Sequence, residues 1–373
     1  MKNTYVSSML SLSLAAFLFL LGCDKENPVA PISVPPSFDS NTDIEKNVDA
    51  YVNHYVTDNR PGVAVMVIKD DSITLKKGYG LANIERQLPF KPDTPCFLAS
   101  VSKQFTAMAV MILAERGKFA YEDKLKAYIP EIPASWKDIT IHHLLTHQSG
   151  ILDYLNDLGW FEGVTDSQVL DSLVRRGDLE FSPGTKYDYS NSGYVILAIL
   201  VERVSGQRFR VFVKENIFDP LGMNKSLVYD ESKPAIPDRA IGYRSRFGVP
   251  VLNDWKLLTT GGSSLVSTIE DLYKWDQSFS TEQIVSRETL ARAYTRHVPT
   301  DGPGPRHIGS YGYGWFSGNY NGLAHYHHNG GHAGFITQIS RFPEARFTVL
   351  ILSNGTYDWI FDLHDEIVRY YLQ

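Results

Sequence analysis

Cysteine is scarce in this chain: Cys23 and Cys96 are the only two among 373 residues. That excludes a disulfide-stapled scaffold, so the fold must rest on a packed apolar core. Neither sign of charge is in large excess, with 36 Lys plus Arg against 42 Asp plus Glu and a net charge of −6. No basic stretch interleaves with aromatics, and nucleic acid is not expected as a partner. Glycine-rich phosphate loops and dinucleotide fingerprints are missing, so no cofactor is expected. His142, His143 and His147 lack the glutamate of a zinc-binding helix. His325, His327, His328 and His332 would alternate across a strand, which makes one tetrahedral site awkward. No metal is expected either. No internal repeat divides the chain.

Apolar runs long enough to cross a bilayer, about 20 residues, are also missing. The one extended run, Met9 to Leu21, is shorter, contains Ser11 and Ser13, and follows Lys2. This is the layout of a secretory signal. It stops at Leu20-Leu21-Gly22-Cys23, which resembles a bacterial lipobox. Residues 1–22 are therefore expected to be a lipoprotein signal peptide and Cys23 the lipidated residue. The expected location is the bacterial cell envelope, exported and membrane-anchored, in the periplasm or at the cell surface. Residues 23–43 carry Pro28, Pro31, Pro35 and Pro36 and read as a flexible tether. With Cys23 acylated, Cys96 has no partner and reads as a packed small hydrophobe.

What is present is apolar material, 43% of residues, ample for one large domain over 44–373. Ile44 to Val56 has helical spacing. Gly62 to Ile68 reads as a buried strand, Asp70-Asp71 as a turn, and Ser72 to Gly80 as the return strand. A long apolar helix follows from about Ser100 and ends at Gly117. Residues 118–255 read as helices and loops, in which Tyr154 or Trp160 could wall a pocket. Strand-like runs return at Gly312–Phe316, His325–His328, Phe335–Phe342 and Phe347–Ser353, and Trp359–Leu372 reads as a closing helix. One sheet assembled from both ends of the chain, interrupted by a helical insert, accounts for this order.

Three stretches carry candidate chemistry. Ser100 and Lys103 stand three apart at the head of the buried helix, so they share a face. Burial disfavours a charged amine and can turn Lys103 into a base for the Ser100 hydroxyl. Pro183-Gly184 marks a turn before Tyr189-Ser190-Asn191-Ser192-Gly193. Ser190, Asn191 or Ser192 would cap the following helix. Tyr189 would present a phenol for proton transfer, and Asn191 an amide to a substrate carbonyl. In His327-His328-Asn329-Gly330-Gly331-His332 the glycines allow close approach to a strand edge. There the Gly331 N–H would join the Ser100 N–H as an oxyanion hole.

In this order, the three stretches resemble the serine β-lactamase and penicillin-binding DD-peptidase superfamily, especially its class C-like esterase and hydrolase branch. S-x-x-K falls on Ser100 and Lys103, and Y-x-N on Tyr189 and Asn191. The K-T-G position falls on His328-Asn329-Gly330, as an H-x-G variant. Leu144 to Gly150, Phe218 to Met223 and Gly261 to Thr268 also look like this family. The resemblance implies an α+β fold, with an antiparallel sheet flanked by helices and a mainly helical subdomain over about 118–255. It implies a serine hydrolase that passes through an acyl-enzyme on Ser100, acting on a small-molecule or peptide ester or amide. Catalysis would fall to Ser100, Lys103 and Tyr189, and substrate binding to Asn191, His328, Asn329 and Gly330. Histidine in place of lysine at 328 implies weaker recognition of a substrate carboxylate at neutral pH. The alternative is a non-catalytic envelope lipoprotein that binds or senses peptidoglycan-like peptides or β-lactams. The oligomeric state is not legible.

Overall fold

A computed structural model describes residues 34–372, apart from 58, 160, 161, 257 and 302–307. The expected signal peptide, Cys23 and the first part of the tether lie outside the described residues. Among the described residues, no helix is long and apolar enough to cross a membrane.

The uninterrupted apolar run near the start forms strand β1 (Val63–Lys69). Its side chains alternate between two apolar clusters. Val63, Val65 and Val67 pack with helix α1 (Ile44–Tyr55), while Ala64, Met66 and Ile68 join the larger core. A strand buried on both faces shows no polar alternation, which is why this run is continuous. Asp70 and Asp71, at φ of 52° and 62°, make a two-residue turn into β2 (Ser72–Tyr79). Positive φ at both central positions matches the twist of the flanking strands.

Past the helical insert, the chain returns to the same sheet through six strands. They are β3 (Val298–Asp301), β4 (Ile308–Tyr311), β5 (Phe316–Tyr320), β6 (Leu323–His332), β7 (Phe335–Phe342) and β8 (Phe347–Ser353). The order across the eight-stranded sheet is β3-β4-β5-β6-β7-β8-β1-β2, with every neighbouring pair antiparallel. β1 and β8 therefore run side by side, from Val63↔Ser353 to Lys69↔Phe347. The closing helix (Trp359–Leu372) shares the α1 side of the sheet through Ile360, Leu363, Ile367 and Val368. Helix α2 (Ser102–Glu115) belongs to the larger core and is buried from Ser102 to Leu113. The expected α+β class, an antiparallel sheet flanked by helices, is the one the chain forms. The described residues from Pro36 onward make one compact unit.

Two sequence expectations need correction. Gly312–Phe316 is not a strand: residues 312–315 are the turn between β4 and β5, closed by Gly312 N–H to Trp315 O at 2.8 Å. Gly314 has φ +77°, and a Cβ there would stand 2.9 Å from the Lys103 carbonyl oxygen, so the turn presses on the first turn of α2. The 118–255 insert is not only helices and loops either. Tyr243–Arg246 and Val249–Leu252 pair as a hairpin around Phe247-Gly248, both at positive φ. Phe247, Val249 and Leu252 are exposed. A hairpin outside the core needs no apolar alternation, which hid it from pattern reading.

One buried ion pair ties the helical layer to the sheet. Arg341 on β7 donates from Nε to Asp276 Oδ1 at 2.6 Å, from Nη2 to the Asp276 carbonyl at 3.2 Å, and from Nη1 to Tyr294 Oη at 2.6 Å. Asp276 belongs to helix Ile269–Ser278 and also accepts from Thr348 Oγ1 on β8 at 2.9 Å. Removing one partner of such a pair leaves a buried charge uncompensated. Arg341→Met is expected to lower unfolding stability by about 3–5 kcal/mol, read by urea denaturation. A wild-type midpoint would show that this pair does not hold the helix to the sheet.

Candidate active site

Ser100 lies in a short 3-10 turn, Ala99–Val101, between strand Cys96–Phe97 and α2. Ala99 has φ +47°, a left-handed conformation costing a non-glycine residue about 1–3 kcal/mol. Its neighbours hold it: Leu98 N–H bonds Leu265 O at 2.8 Å, and Thr337 Oγ1 on β7 donates to Leu98 O at 2.7 Å. Ala99 and Val101 are buried, while Ser100 between them keeps some exposure.

Lys103, one turn on, is completely buried. Its Nζ is 3.2 Å from Ser100 Oγ, 2.9 Å from Asn191 Oδ1 and 3.0 Å from the Gly262 carbonyl. Burial lowers its pKa to about 7, opposed by the negative charge of Asp153. Two of the three partners can only accept, so two N–H bonds are committed to Asn191 and Gly262. The third position of the amine faces Ser100. It is a lone pair when the amine is neutral and an N–H when it is charged, so Lys103 can take the hydroxyl proton and return it.

Helix α3 (Asn191–Ser205) brings the second motif to this point. Ser190 caps it through Gly193 N–H at 3.2 Å, so the expected capping role falls to Ser190. The residues on either side face the site. Asn191 meets Lys103 as described, and the Tyr189 ring lies 4.8 Å from Lys103 Nζ. The Tyr189 phenol feels the Ser100 side chain beside it, and burial holds its pKa well above the usual phenol range. Tyr189 is backed by His147, whose ring centroid is 4.3 Å away and whose Nδ1 accepts from Ser190 N–H at 3.0 Å. Burial, aided by the positive charge of Lys103, keeps His147 neutral.

The third motif lies on β6 beside the Ser100 turn. Pairing with β5 extends only to Phe316↔His327, so from His328 onward β6 has β7 as its ladder partner among the described strands. The freed edge meets the turn: a Cβ on Gly330 would stand 2.5 Å from Leu98 O and 2.9 Å from Ser100 N. Only glycine allows that approach. Gly331 follows at an exposed position, with open space where its Cβ would be, and Asn329 is partly exposed.

His328 needs correction. Its side chain has no exposed surface; Nε2 lies 3.0 Å from Tyr311 Oη and Nδ1 2.7 Å from Asn329 O. A carbonyl can only accept, so Nδ1 donates and, in the neutral ring, Nε2 accepts the Tyr311 proton. A substrate carboxylate cannot reach this ring, and the expected binding role gives way to support of Tyr311 beneath the site. Tyr154 is also buried, its hydroxyl 2.9 Å from Thr259 Oγ1, so it walls no open pocket; Trp160 lies outside the described residues. Cys96 is free and buried, with its thiol pKa pushed up by that burial. Among the described residues, no three His, Cys, Asp or Glu come together as metal ligands.

Sequence reasoning missed the Gly262 carbonyl and Asp153. Gly262 sits in the glycine pair 261–262, a sequence signal of tight backbone, and a Cβ on Gly261 would stand 2.2 Å from Tyr194 O. Backbone carbonyls as partners of Lys103 leave no such signal.

The sequence pattern of the Beta-lactamase family matches residues 46–372. The chain belongs to that family. It is thereby a serine hydrolase of the β-lactamase and penicillin-binding protein superfamily. It is 30% identical to penicillin-binding protein 4* of Bacillus subtilis over 318 residues, 79% of this chain and 68% of that one. The chain spans about two thirds of the length of the curated relatives it matches, 64% for the flp protein of Staphylococcus aureus. Among solved structures, the octameric penicillin-binding protein homologue from Pyrococcus abyssi superposes with a TM-score of 0.77 at 28% identity, over 88% of this chain and 77% of that one. The D-amino acid amidase of Ochrobactrum anthropi SV3 shares the fold, with a TM-score of 0.76 at 21% identity over 89% and 97% of the two chains.

Gly330→Ala tests the close approach of β6 to the Ser100 turn. It is expected to reduce acylation of Ser100 at least tenfold while costing about 1–3 kcal/mol in stability, in the range of overpacking. Intact-mass kinetics with a serine-reactive probe and a thermal melt separate the two effects. Unchanged acylation would mean that the strand is not held against the turn.

Proposed function

We propose that the chain hydrolyses an amide or ester through a covalent acyl-enzyme on Ser100. The observation that carries this reading is the Lys103 amine: fully buried, at a pKa near 7, 3.2 Å from Ser100 Oγ with its other two N–H bonds committed. Neutral Lys103 takes the Ser100 proton as Oγ bonds to the substrate carbonyl carbon. The carbonyl oxygen becomes an oxyanion between the Ser100 and Gly331 amides. When the carbon–leaving-group bond breaks, the Lys103 ammonium returns the proton through the Tyr189 hydroxyl to the departing nitrogen or oxygen. Water then attacks the acyl carbon, the same groups managing its proton, and Ser100 is released. Tyr189 serves here as a neutral relay, because burial opposes its ionisation. Lys103 is the base.

The third motif bears on substrate class. A lysine at 328 would offer a fixed cation; here a buried histidine is bonded to Tyr311 instead. This favours substrates that place an uncharged group beside β6, such as amides or esters without a terminal carboxylate. Cys23 supports a further proposal, that the enzyme is a lipid-anchored protein of the bacterial envelope. Labelled fatty acid should enter the chain in cells and be lost in Cys23→Ser; unlabelled wild type would remove that placement.

A fluorophosphonate needs no knowledge of the substrate. It is expected to label the full chain once, on Ser100, with no labelling in Ser100→Ala and a loss of about 10²-fold or more in Lys103→Ala, as when other catalytic units are broken. Labelling should fall about tenfold per pH unit below pH 7, as the amine takes up a proton. Equal labelling of the Ser100→Ala variant would sink the assignment. Matched amide and acid forms of one acyl compound then test substrate class: kcat/KM should favour the amide, and equality would remove the argument from His328.

A further inference from the structure

Asp153 is a buried carboxylate beside the Ser100 cluster with no part in the chemistry above. It is 5% exposed and sits in the loop that follows Gly150. Oδ2 accepts the Asn191 N–H, and Oδ1 accepts those of Leu155 at 3.0 Å and Asn156 at 3.1 Å. All three are donors, so the site is built for a carboxylate and offers these oxygens nothing that would accept a carboxyl proton. Asn191 is also the residue whose Oδ1 meets Lys103 Nζ. An unbroken path thus runs from the carboxylate, through the first peptide of α3 and its side-chain amide, to the amine.

We infer that Asp153 is a positioning residue for Lys103: it pins the start of α3 so that Asn191 meets the amine, and it supplies the counter-charge for the ammonium formed when Ser100 gives up its proton. The inference rests on Lys103 being the base. A cation created in a dry site is stabilised by a fixed anion far more than the same pair would be in water. Other groups facing Lys103 do not provide that charge. The Tyr189 and Tyr194 rings lie 4.8 and 5.6 Å from Nζ, with both phenols held neutral by burial, and His147 is neutral beneath them. Around Asp153 stand Asp157, which accepts its N–H at 2.5 Å, and Glu180, Tyr154 and Tyr189, which feel its charge. Burial pushes the Asp153 carboxyl above its ordinary pKa, and the three amides and the charge of Lys103 oppose that rise in favour of the carboxylate.

The sign of the effect follows. Asp153 favours the charged amine, so it raises the pH at which Lys103 becomes a base. Neutralising Asp153 must move the acid limb of Ser100 acylation toward lower pH, even as the plateau rate falls through loss of position. A purely structural role would lower the rate at every pH and leave the limb in place.

The experiment is the pH dependence of fluorophosphonate labelling of Ser100 in the full chain, with wild type, Asp153→Asn and Asp153→Glu. Asp153→Asn is expected to lower the plateau and shift the limb down by about 1 pH unit, the small end for loss of an opposite charge. Asp153→Glu keeps the charge and should keep the wild-type limb. If Asp153→Asn fails to fold, Asp153→Ser takes its place, its hydroxyl still able to accept one amide. An unshifted limb in the folded neutral variant overturns the inference and leaves the Ser100 reading intact. Wild type without labelling, or with no acid limb, overturns the reading of Lys103 as base and this inference with it.

Discussion

Lys103 is enclosed by protein, and charging an amine in such a place is costly. Two obligatory acceptors, Asn191 Oδ1 and the Gly262 carbonyl, reduce that cost without removing it. The balance leaves the amine poised near neutrality, with its one uncommitted position facing a hydroxyl. Each of the other parts can be understood as holding one side of that enclosure. Helix α2 carries the lysine, α3 brings Asn191, the 260s loop brings Gly262, and the Tyr189 and Tyr194 rings close the remaining directions.

Such an enclosure needs rigid walls, and the fold supplies them from far-apart parts of the chain. The β4–β5 turn presses Gly314 onto the backbone of α2, while β6 presses Gly330 onto the turn that holds Ser100. The Arg341–Asp276 pair locks the helix Ile269–Ser278, whose Trp275 stacks on Phe105 of α2 at 4.2 Å. The strained Ala99 is tolerated because Leu98 before it is fixed by long-range hydrogen bonds at both its N–H and its carbonyl. Strain of this kind persists only where the surroundings over-determine the backbone.

Legibility in the sequence followed physical range. Ser100 with Lys103 and Tyr189 with Asn191 could be read because each pair is local and set by helix or turn geometry. β1, β7, β8 and the closing helix were equally plain, the strands as short runs rich in β-branched and aromatic residues and the helix through the spacing of its buried residues. What escaped depends on partners distant in sequence or on backbone atoms. The Gly262 carbonyl carries no side-chain signature, and Asp153 looks like any loop aspartate until the Asn191 amide is seen against it. His328 was placed correctly on a strand, but its burial under Tyr311 is a tertiary fact. The 312–315 turn was misread because Tyr313 and Trp315 are buried and aromatic, as strand residues often are.

The order of strands across the sheet has a consequence in time. β1 and β2 are made before the helical insert, yet β1 lies between β2 and β8, and β8 follows that insert and five further strands. Until β8 arrives, β1 has an unpaired edge and apolar side chains on both its faces. Pairings between such remote segments form slowly, since the intervening chain must be closed first. Ser100 exists on a nascent chain long before β6 can come beside it. A hydrolase arranged in this way carries its nucleophile unarmed until the late strands of its sheet are made.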